Sequence, residues 1–175
     1  MNAVPLMTSK LTPTLEMMKK IKLIDSFADP ELERLISLGT LSKYEAHTNV
    51  IIENEPSWGL YIILEGTLRL LKTNKLTGQS YEVCQLSGGN AFGEMSLVDD
   101  NPRSATLCTL TACDLFFIPK TGFLEFLNLS TDLKLRFYLS CIQSVVTRLR
   151  ELDDNYVVCQ YQLWQSLLRK ENRIS

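Results

Sequence analysis

The sequence predicts an α+β fold in which an antiparallel β structure, either closed or built from two sheets, lies between helical segments. Three observations support this prediction. Apolar residues near helical spacing occur before residue 39, short β-type runs follow up to residue 119, and helical periodicity returns from residue 133. Many short strands at close spacing are typical of closed or double-sheet β proteins. The length of 175 residues suits one compact domain with an appendage.

Two helices are predicted before the β region. Residues 15–24 carry apolar side chains near helical spacing, and the sequence DPELERLI at residues 29–36 has the features of a helix start. Asp29 is the predicted N-cap, Pro30 suits the first helical position, and acidic residues follow in the first turn. Gly39 is the predicted stop, which gives a helix of about two to three turns.

Short runs of β-type residues account for the middle of the chain. They occupy residues 50–52, 60–64, 67–71, 81–86, 105–109 and 114–118. Turn-forming stretches at residues 54–57, 65–66, 76–78 and 87–90 separate the first runs. The runs are too short for helices and are bounded as strands usually are, so they predict the β structure of the fold class.

The last long segment, residues 133–169, has the pattern of a helix with a seam for a partner helix. Its apolar residues follow alternating steps of four and three: Tyr138, Ile142, Val145, Leu149, Leu152, Tyr156, Cys159 and Leu163. The alternative is a single amphipathic helix packed on its own β domain, as its first turns are expected to be. A helix this long outruns a small barrel, so we expect a parallel homodimer to cover the remaining stripe.

Composition and charge exclude several classes of function. The formal net charge is -2 and the pI is about 5.5, so no overall positive field favours nucleic acid or an anionic membrane as a partner. The first ten residues lack a basic leader and a sustained apolar run, and no stretch is long enough to span a bilayer. The five cysteines are scattered, which argues against a disulfide framework or a metal cluster and indicates a reducing cytoplasm.

The residue set also argues against an enzyme. His47 is the only histidine, so a site built from several imidazoles is excluded. The sequence offers no pairing of a nucleophile with a base, and the adjacent carboxylates Asp99 and Asp100 are typical of a solvated turn. We therefore expect neither a catalytic residue nor a metal.

The segment FGEMSLVDDNPRSATL, residues 92–107, carries the most specific chemistry. Helical turns starting at Gly93 would direct unpaired N–H groups at an anion, and Arg103 would add a permanently charged fork. Glu94 could accept a hydrogen bond from a sugar hydroxyl. Each element alone is common in antiparallel β proteins, but their order and spacing suit a ribose phosphate.

This segment closely resembles the phosphate-binding cassette of cyclic nucleotide-binding domains, in which F-G-E, two apolar or small residues, Leu, a short turn, Arg, a small residue and Ala follow one another. The resemblance extends over about residues 24–150, since residues 54–66 resemble the early hairpin of the family. His47 and Asn54 stand where glycine is common, and Asn90 stands in place of an acid. Asn54 tolerates the left-handed backbone better than most residues, which suits that position.

The resemblance implies an eight-stranded antiparallel β-roll, jelly-roll-like, with N-terminal helices, a short cassette helix and a long C-terminal dimerisation helix. The implied boundaries are residues 1–28 for an N-terminal extension with a helix, 29–130 for the β-roll and 131–175 for the long helix. It also implies a set of ligand contacts. Arg103, Ser104 and Ala105 would bind the cyclic phosphate, Glu94 the ribose 2′-hydroxyl, Gly93, Met95 and Ser96 would offer backbone N–H groups, Val83 and Phe92 would form apolar walls, and Thr147 or Arg148 would approach the base.

Three functions are compatible with these features. The first is a cyclic nucleotide sensor, for cAMP or cGMP, that changes conformation and signals to a partner protein. The second is a fragment of a Crp-like transcription regulator without its helix-turn-helix, since only about a dozen residues follow Leu163. The third is a non-binding dimeric scaffold, which the presence of both Glu94 and Arg103 disfavours because a buried arginine needs a partner.

Overall fold

The computed structural model describes residues 13–99 and 101–171, without the side chains of residues 167, 170 and 171. The helices are α1 (Leu15–Met18), α2 (Asp29–Leu38), α3 (Ser96–Asp99), α4 (Lys120–Leu127) and α5 (Thr131–Glu171). The strands are β1 (Thr40–Tyr44), β2 (Asn49–Ile51), β3 (Gly59–Glu65), β4 (Thr67–Thr73), β5 (Ser80–Ser87), β6 (Ala91–Phe92), β7 (Thr106–Thr109) and β8 (Cys113–Pro119). This architecture confirms the predicted α+β fold with an antiparallel β-roll.

The eight strands form two four-stranded antiparallel sheets. Their orders are β1-β8-β3-β6 and β2-β7-β4-β5. The sheets enclose a core inside the roll, made of Tyr44, Val50, Ile51, Ile63, Leu68, Phe92, Leu107, Cys113 and Leu115. Helices pack on the outer side of the first sheet, so β3 and β8 are buried on both faces. This double burial explains why their sequences are almost continuously apolar.

β8 illustrates how one strand serves both cores. Leu115 belongs to the core inside the roll, whereas Phe116 and Ile118 belong to the core under the helices. Successive side chains of a strand point to opposite faces, which places neighbouring residues in different cores. The helix-covered core also includes Phe123 of α4 and Phe137 of α5, so the start of the long helix is packed firmly onto the domain.

The N-terminal helices differ in detail from the prediction. α1 ends at Met18, and single turns then continue with bonds from Ile21 N–H to Met18 O, from Ile24 N–H to Ile21 O and from Phe27 N–H to Ile24 O. These three-residue steps bury the side chains of Met18, Ile21, Ile24 and Phe27. Their spacing is close to that of a helix, which is why the sequence predicted one.

The predicted N-cap of α2 was wrong by one residue. Ala28 is the N-cap, and its backbone N–H donates to the Glu31 carboxylate at 2.7 Å. The Asp29 carboxylate instead pairs with Lys19 at 2.9 Å. The predicted stop at Gly39 is confirmed, since this residue forms the C-cap of α2.

Two strands were not predicted as separate runs. β1 (TLSKY) has two consecutive buried residues and lacks strict alternation, and β6 has only two residues, so neither gives a strong local pattern. The cassette helix α3 begins at Ser96 rather than at Gly93. Asn54 has a φ of 68° and His47 a φ of 62°, so both positions use the left-handed backbone that glycine favours.

The long helix is confirmed and spans 41 residues, which corresponds to about 60 Å at 1.5 Å per residue. Leu133, Phe137 and Cys141 are buried against the domain, whereas every side chain from Glu151 to Trp164 is exposed. The predicted seam residues from Ile142 onward are exposed as well. Tyr138 differs, because it packs partly against the helix-covered core.

Candidate functional site

A cavity of about 240 Å³ lies between the second sheet and the segment that follows β6. Ile51 of β2, Leu70 of β4 and Leu107 of β7 form its apolar side. The remaining lining comes from Leu86, Phe92, Gly93, Glu94, Met95, Ser96, Asp99, Asn101, Pro102, Arg103, Ser104, Ala105 and Arg148. An apolar concavity with a few converging polar groups is the usual form of a small-molecule site.

Arg103 is the buried cation of this cavity. Only 5% of the residue is exposed. Its Nη2 donates to the backbone oxygen of Gly59 at 3.0 Å, and the guanidinium lies 5.7 Å from the ring centre of Tyr61. Its Nη1 is buried and makes no hydrogen bond within the described residues.

The electrostatic surroundings leave the charge of Arg103 without a close counter-ion. No carboxylate of the described residues lies within the 4.0 Å of an ion pair with it. Burial lowers the pKa of Arg103, while Tyr61 and Glu94 act in the opposite direction. An arginine nevertheless stays protonated in proteins, so this part of the cavity is suited to an anion.

Gly93 gives Arg103 the room it needs. Its φ is +89°, and a Cβ at this residue would lie 2.3 Å from Nη1 of Arg103 and 2.7 Å from Gly59 O. Any side chain would therefore strain the backbone and displace the guanidinium. This requirement explains the glycine between Phe92 and Glu94 in the sequence.

We expect Gly93→Ala to destabilise the fold more than a matched glycine substitution does. Gly78 also has a positive φ, of +71°, but a Cβ there meets nothing within 4 Å. Gly78→Ala should thus cost only the left-handed strain, about 1–2 kcal/mol, whereas Gly93→Ala should add about 1–3 kcal/mol for the overlap. Urea unfolding of both variants measures the difference. Equal losses would show that Arg103 and Gly59 move aside without cost.

Glu94 connects the cavity to the long helix. Its side chain is 4% exposed, and a carboxylate oxygen accepts from Nη1 of Arg148 at 2.7 Å. Arg148 lies on α5 and is 54 residues away in sequence. The ion pair is therefore a long-range link between the cassette and α5, with one partner buried and the other about 42% exposed.

Two backbone hydrogen bonds hold the turn at Asn54 and Glu55 against Arg103. The Asn54 N–H donates to Arg103 O at 2.9 Å, and the Arg103 N–H donates to Glu55 O at 2.8 Å. The left-handed conformation of Asn54 makes this close approach of the two segments possible. Among the described residues, the Ser104 hydroxyl makes only a long contact of 3.9 Å, with the sulfur of Met95. The Ser104 hydroxyl is therefore available to form a hydrogen bond with a bound ligand.

A second groove of about 540 Å³ adjoins the cavity and runs between α5 and the β5–β6 connection. Leu86, Glu94 and Arg148 line both spaces. The α5 residues on the groove are Ser140, Gln143, Ser144, Thr147, Arg148 and Glu151. The Glu94–Arg148 pair thus stands at the junction of the two spaces.

The sequence pattern of the cyclic nucleotide-binding domain family matches residues 41–130, which are 90 of the 175 residues. The chain belongs to this family. The match includes every strand except the first residue of β1, together with the whole cassette. It confirms the family that the residue pattern had indicated.

The chain matches only part of the length of its curated relatives. The chain is 26% identical over 118 residues to the cAMP-dependent protein kinase regulatory subunit of Debaryomyces hansenii, covering 67% of this chain and 25% of the relative. It is 27% identical over 111 residues to the cyclic AMP receptor protein of Thermus thermophilus, covering 63% and 51%. The chain thus spans a quarter to a half of these relatives.

Solved structures agree with the fold. The regulatory domain of Toxoplasma gondii PKA, crystallised with cAMP, has a TM-score of 0.60 and 30% identity, covering 63% of this chain and 42% of that chain. The catabolite activator protein of Thermus thermophilus has a TM-score of 0.66 and 24% identity, covering 79% and 63%. At this lower identity the second comparison concerns the fold alone.

The domain brings most of the predicted ligand residues together. Nine of them line the cavity: Phe92, Gly93, Glu94, Met95, Ser96, Arg103, Ser104, Ala105 and Arg148. Thr147 lines the adjoining groove instead. The Ser96 hydroxyl is already used within the protein, since it bonds to Gly93 O at 3.0 Å and to the Ser57 hydroxyl.

Val83 does not lie at the cavity. It is 53% exposed on β5, where the pairing with β4 steps from Leu70–Cys84 to Leu71–Glu82 and leaves Val83 unpaired. The bulge leaves Val83 outside the paired ladder, so the apolar wall that the family resemblance implied there is not formed. The cavity walls at Ile51, Leu70, Leu86 and Leu107 were not predicted, because their only local signal is that they are apolar residues within predicted strands.

The described residues contain no helix long and apolar enough to cross a membrane. They also contain no group of three or more His, Cys, Asp or Glu residues placed to hold a metal ion.

Proposed function

We propose that this chain is a cyclic nucleotide sensor that binds cAMP in the cassette cavity and passes the binding event to a partner protein. The observation that carries this proposal is the buried guanidinium of Arg103, whose Nη1 has no hydrogen-bond partner within the described residues. A cyclic phosphate has the charge and the paired oxygens that such a fork binds. Solved relatives with cAMP, from Toxoplasma gondii and from a PfPKA-R structure, support the same ligand class.

The proposed roles divide the ligand between two charged side chains. Arg103 holds the cyclic phosphate, with the Ser104 hydroxyl and the Ala105 N–H beside it, and Glu94 accepts from the ribose 2′-hydroxyl. Phe92 is a buried apolar wall at 3% exposure. A base on this ribose would extend past Glu94 toward the groove on α5, where Thr147 and Arg148 lie.

The Glu94–Arg148 pair supplies a way to transmit binding. A ribose hydroxyl at Glu94 would share or replace the hydrogen bond from Arg148, so the ligand would act on the position of α5. A ligand shifts a conformational equilibrium only by its different affinity for the two states. We therefore propose that nucleotide changes the population of α5 positions and that a partner protein binds one of them.

The first experiment is isothermal titration of the purified chain with cAMP, cGMP and 5′-AMP. We expect the cyclic phosphate and the ribose both to contribute to affinity. cAMP should therefore bind, and 5′-AMP, whose phosphate is not cyclic, should bind more weakly. A preference for cGMP would keep the sensor but change the ligand. Absence of binding by all three nucleotides would favour the scaffold in which the β-roll only supports a dimer.

We expect Glu94→Gln to weaken cAMP binding and to reduce the penalty for 2′-deoxy-cAMP. The substitution keeps the shape of the side chain but removes its charge, and a hydrogen bond to a charged group is worth about 1.5–3 kcal/mol. A cycle of two proteins and two ligands isolates the coupling between Glu94 and the hydroxyl. Glu65→Gln, an exposed carboxylate at the end of β3, is the matched control. An unchanged deoxy penalty in Glu94→Gln would contradict the ribose assignment.

We also propose that α5 forms a parallel homodimer. Leu149 and Leu152 are 53% and 57% exposed, Tyr156 is 63% exposed, and Leu163 is 55% exposed. These side chains follow one stripe along a helix that extends beyond the contacts with its own domain. An exposed apolar stripe of this length is typical of a surface that another chain covers.

A further inference from the structure

Lys72 and Glu53 form an ion pair directly behind the cassette. The Nζ of Lys72 lies 2.5 Å from a carboxylate oxygen of Glu53 and 2.5 Å from the backbone oxygen of Ser104. Lys72 belongs to β4, and Glu53 lies in the turn after β2. One ammonium therefore connects a strand and a turn with the residue next to Arg103.

Glu53 is held in place by further bonds. Its side chain is 9% exposed, and a carboxylate oxygen accepts from the Thr73 N–H at 3.0 Å. Its own backbone N–H donates to the Thr106 hydroxyl at 3.0 Å. The hydrogen bond from Lys72 is the main reason that the pKa of Glu53 is lowered, so the carboxylate is charged at neutral pH. Glu53, whose carboxylate orients Lys72, is thus held by contacts with both β4 and β7.

The bond to Ser104 O determines the direction of the next N–H group. In a planar trans peptide the carbonyl of Ser104 and the N–H of Ala105 point in opposite directions. The carbonyl points to Lys72, so the N–H points away from it. Ser104 and Ala105 line the cavity, and Lys72 is not part of that lining. The Ala105 N–H makes no backbone hydrogen bond in the described residues and is available to an anion beside Arg103.

We infer that Lys72 and Glu53 are positioning residues for the phosphate: they hold the Ser104 carbonyl so that the Ala105 N–H is directed at the anion bound by Arg103. Neither side chain touches the ligand. The inference rests on the proposed function, because it assumes that the anion is the phosphate of a cyclic nucleotide.

The two substitutions Lys72→Met and Glu53→Gln separate positioning from simple attraction. Lys72→Met keeps the apolar stem and removes the donor to Ser104 O. If Lys72 acted only through its positive charge, removing the negative charge in Glu53→Gln would strengthen binding of the anionic ligand. If the pair positions the peptide, Glu53→Gln should weaken binding, because Lys72 loses the carboxylate that orients it.

Lys43→Met is the matched control. Lys43 pairs with Asp114 at 2.8 Å, and its side chain is 50% exposed, compared with 48% for Lys72. It lies on β1 in the other sheet, so its removal takes away the same charge and the ion pair of a similarly exposed lysine without touching the cassette.

Titration with cAMP, together with thermal unfolding of each protein without ligand, tests the inference. We expect Lys72→Met and Glu53→Gln each to lose about tenfold in affinity, which is the lower end of the loss seen when residues that orient metal ligands are replaced. Lys72→Arg should recover most of the loss, and Lys43→Met should bind as the wild type does.

The outcomes distinguish the two proposals. Suppose that the wild type binds cAMP and that Lys72→Met binds it with full affinity, or that Glu53→Gln binds it more tightly. Either result would overturn the positioning role and leave the proposed function standing. A loss in Lys43→Met equal to that in Lys72→Met would also overturn it, because the effect would then be one of general charge. If the folded wild type binds neither cAMP nor cGMP, the proposed function fails, and the positioning role fails with it.

Discussion

Replacing Arg103 with alanine is expected to weaken cAMP binding by about 2–5 kcal/mol, the usual cost of removing one partner from a buried charge pair. At about 1.4 kcal/mol per decade, this corresponds to a loss of about 30-fold or more in affinity. The effect should be large because Arg103 is buried and no other cation of the described residues is buried in the cavity. Isothermal titration of both proteins measures it.

Arg103→Lys provides the matched control for charge. An ammonium keeps the positive charge but cannot form the two parallel bonds of a guanidinium, so affinity should be recovered only in part. The Nη2 bond to Gly59 O would also be lost or altered. Full recovery by lysine would show that the charge alone matters and that the geometry of the fork does not.

Stability without ligand separates binding from folding. Arg103 contributes a hydrogen bond to Gly59 and a ring contact with Tyr61, but it also brings a buried charge that has no close counter-ion among the described residues. These contributions oppose each other, so Arg103→Ala should change the free energy of unfolding by less than it changes the free energy of binding. Equal binding of cAMP by wild type and Arg103→Ala would show that the phosphate assignment is wrong.

The cassette could be predicted from sequence because its parts are local. Phe92, Gly93, Glu94 and Arg103 lie within twelve residues, and one turn of chain brings them to a single cavity. The glycine is required by its positive φ and by the closeness of Arg103, both of which belong to this short segment. A pattern of this kind is readable without knowing which strands pair.

The remaining parts of the site depend on pairing between distant residues. Gly59 O reaches Arg103 over 44 residues, and Lys72 reaches Ser104 over 32. Neither contact can be predicted from the local sequence around the residues that form it. Val83 is a further example, since the family resemblance implied a cavity wall there, whereas the register shift opposite Leu70 and Leu71 leaves this residue unpaired and exposed. Long-range register therefore limits what the sequence can predict about this site.

Charging the exposed stripe of α5 is expected to abolish the proposed homodimer. In Leu149→Glu combined with Leu152→Glu, a dimer would have to bury four carboxylates in an apolar seam, and an uncompensated buried charge costs about 3–5 kcal/mol. Neither leucine contributes to the buried core of its own domain, since they are 53% and 57% exposed. The monomer should consequently stay folded. Light scattering at tens of micromolar protein distinguishes the two states.

Val158→Glu combined with Tyr161→Glu is the matched control on the same helix. These residues are 53% and 64% exposed and have the same spacing as the leucine pair. At 100° per residue they lie on the opposite face of α5, so the same number of added charges should leave the dimer intact. A wild-type monomer, or equal effects of the two double substitutions, would contradict the seam.

Cys159 provides an independent check on the direction of the two helices. It is exposed and occupies a seam position between Tyr156 and Leu163. In a parallel dimer in register the two copies of Cys159 face each other, whereas an antiparallel pair would place them far apart on a helix of this length. We expect a short bis-maleimide to cross-link the wild type and the Val158/Tyr161 control, but not Cys159→Ser or the Leu149/Leu152 variant. Cross-linking that persists in Cys159→Ser would have to pass through another thiol such as the exposed Cys84. A wild-type dimer that shows no cross-linking through Cys159 would argue against the parallel arrangement.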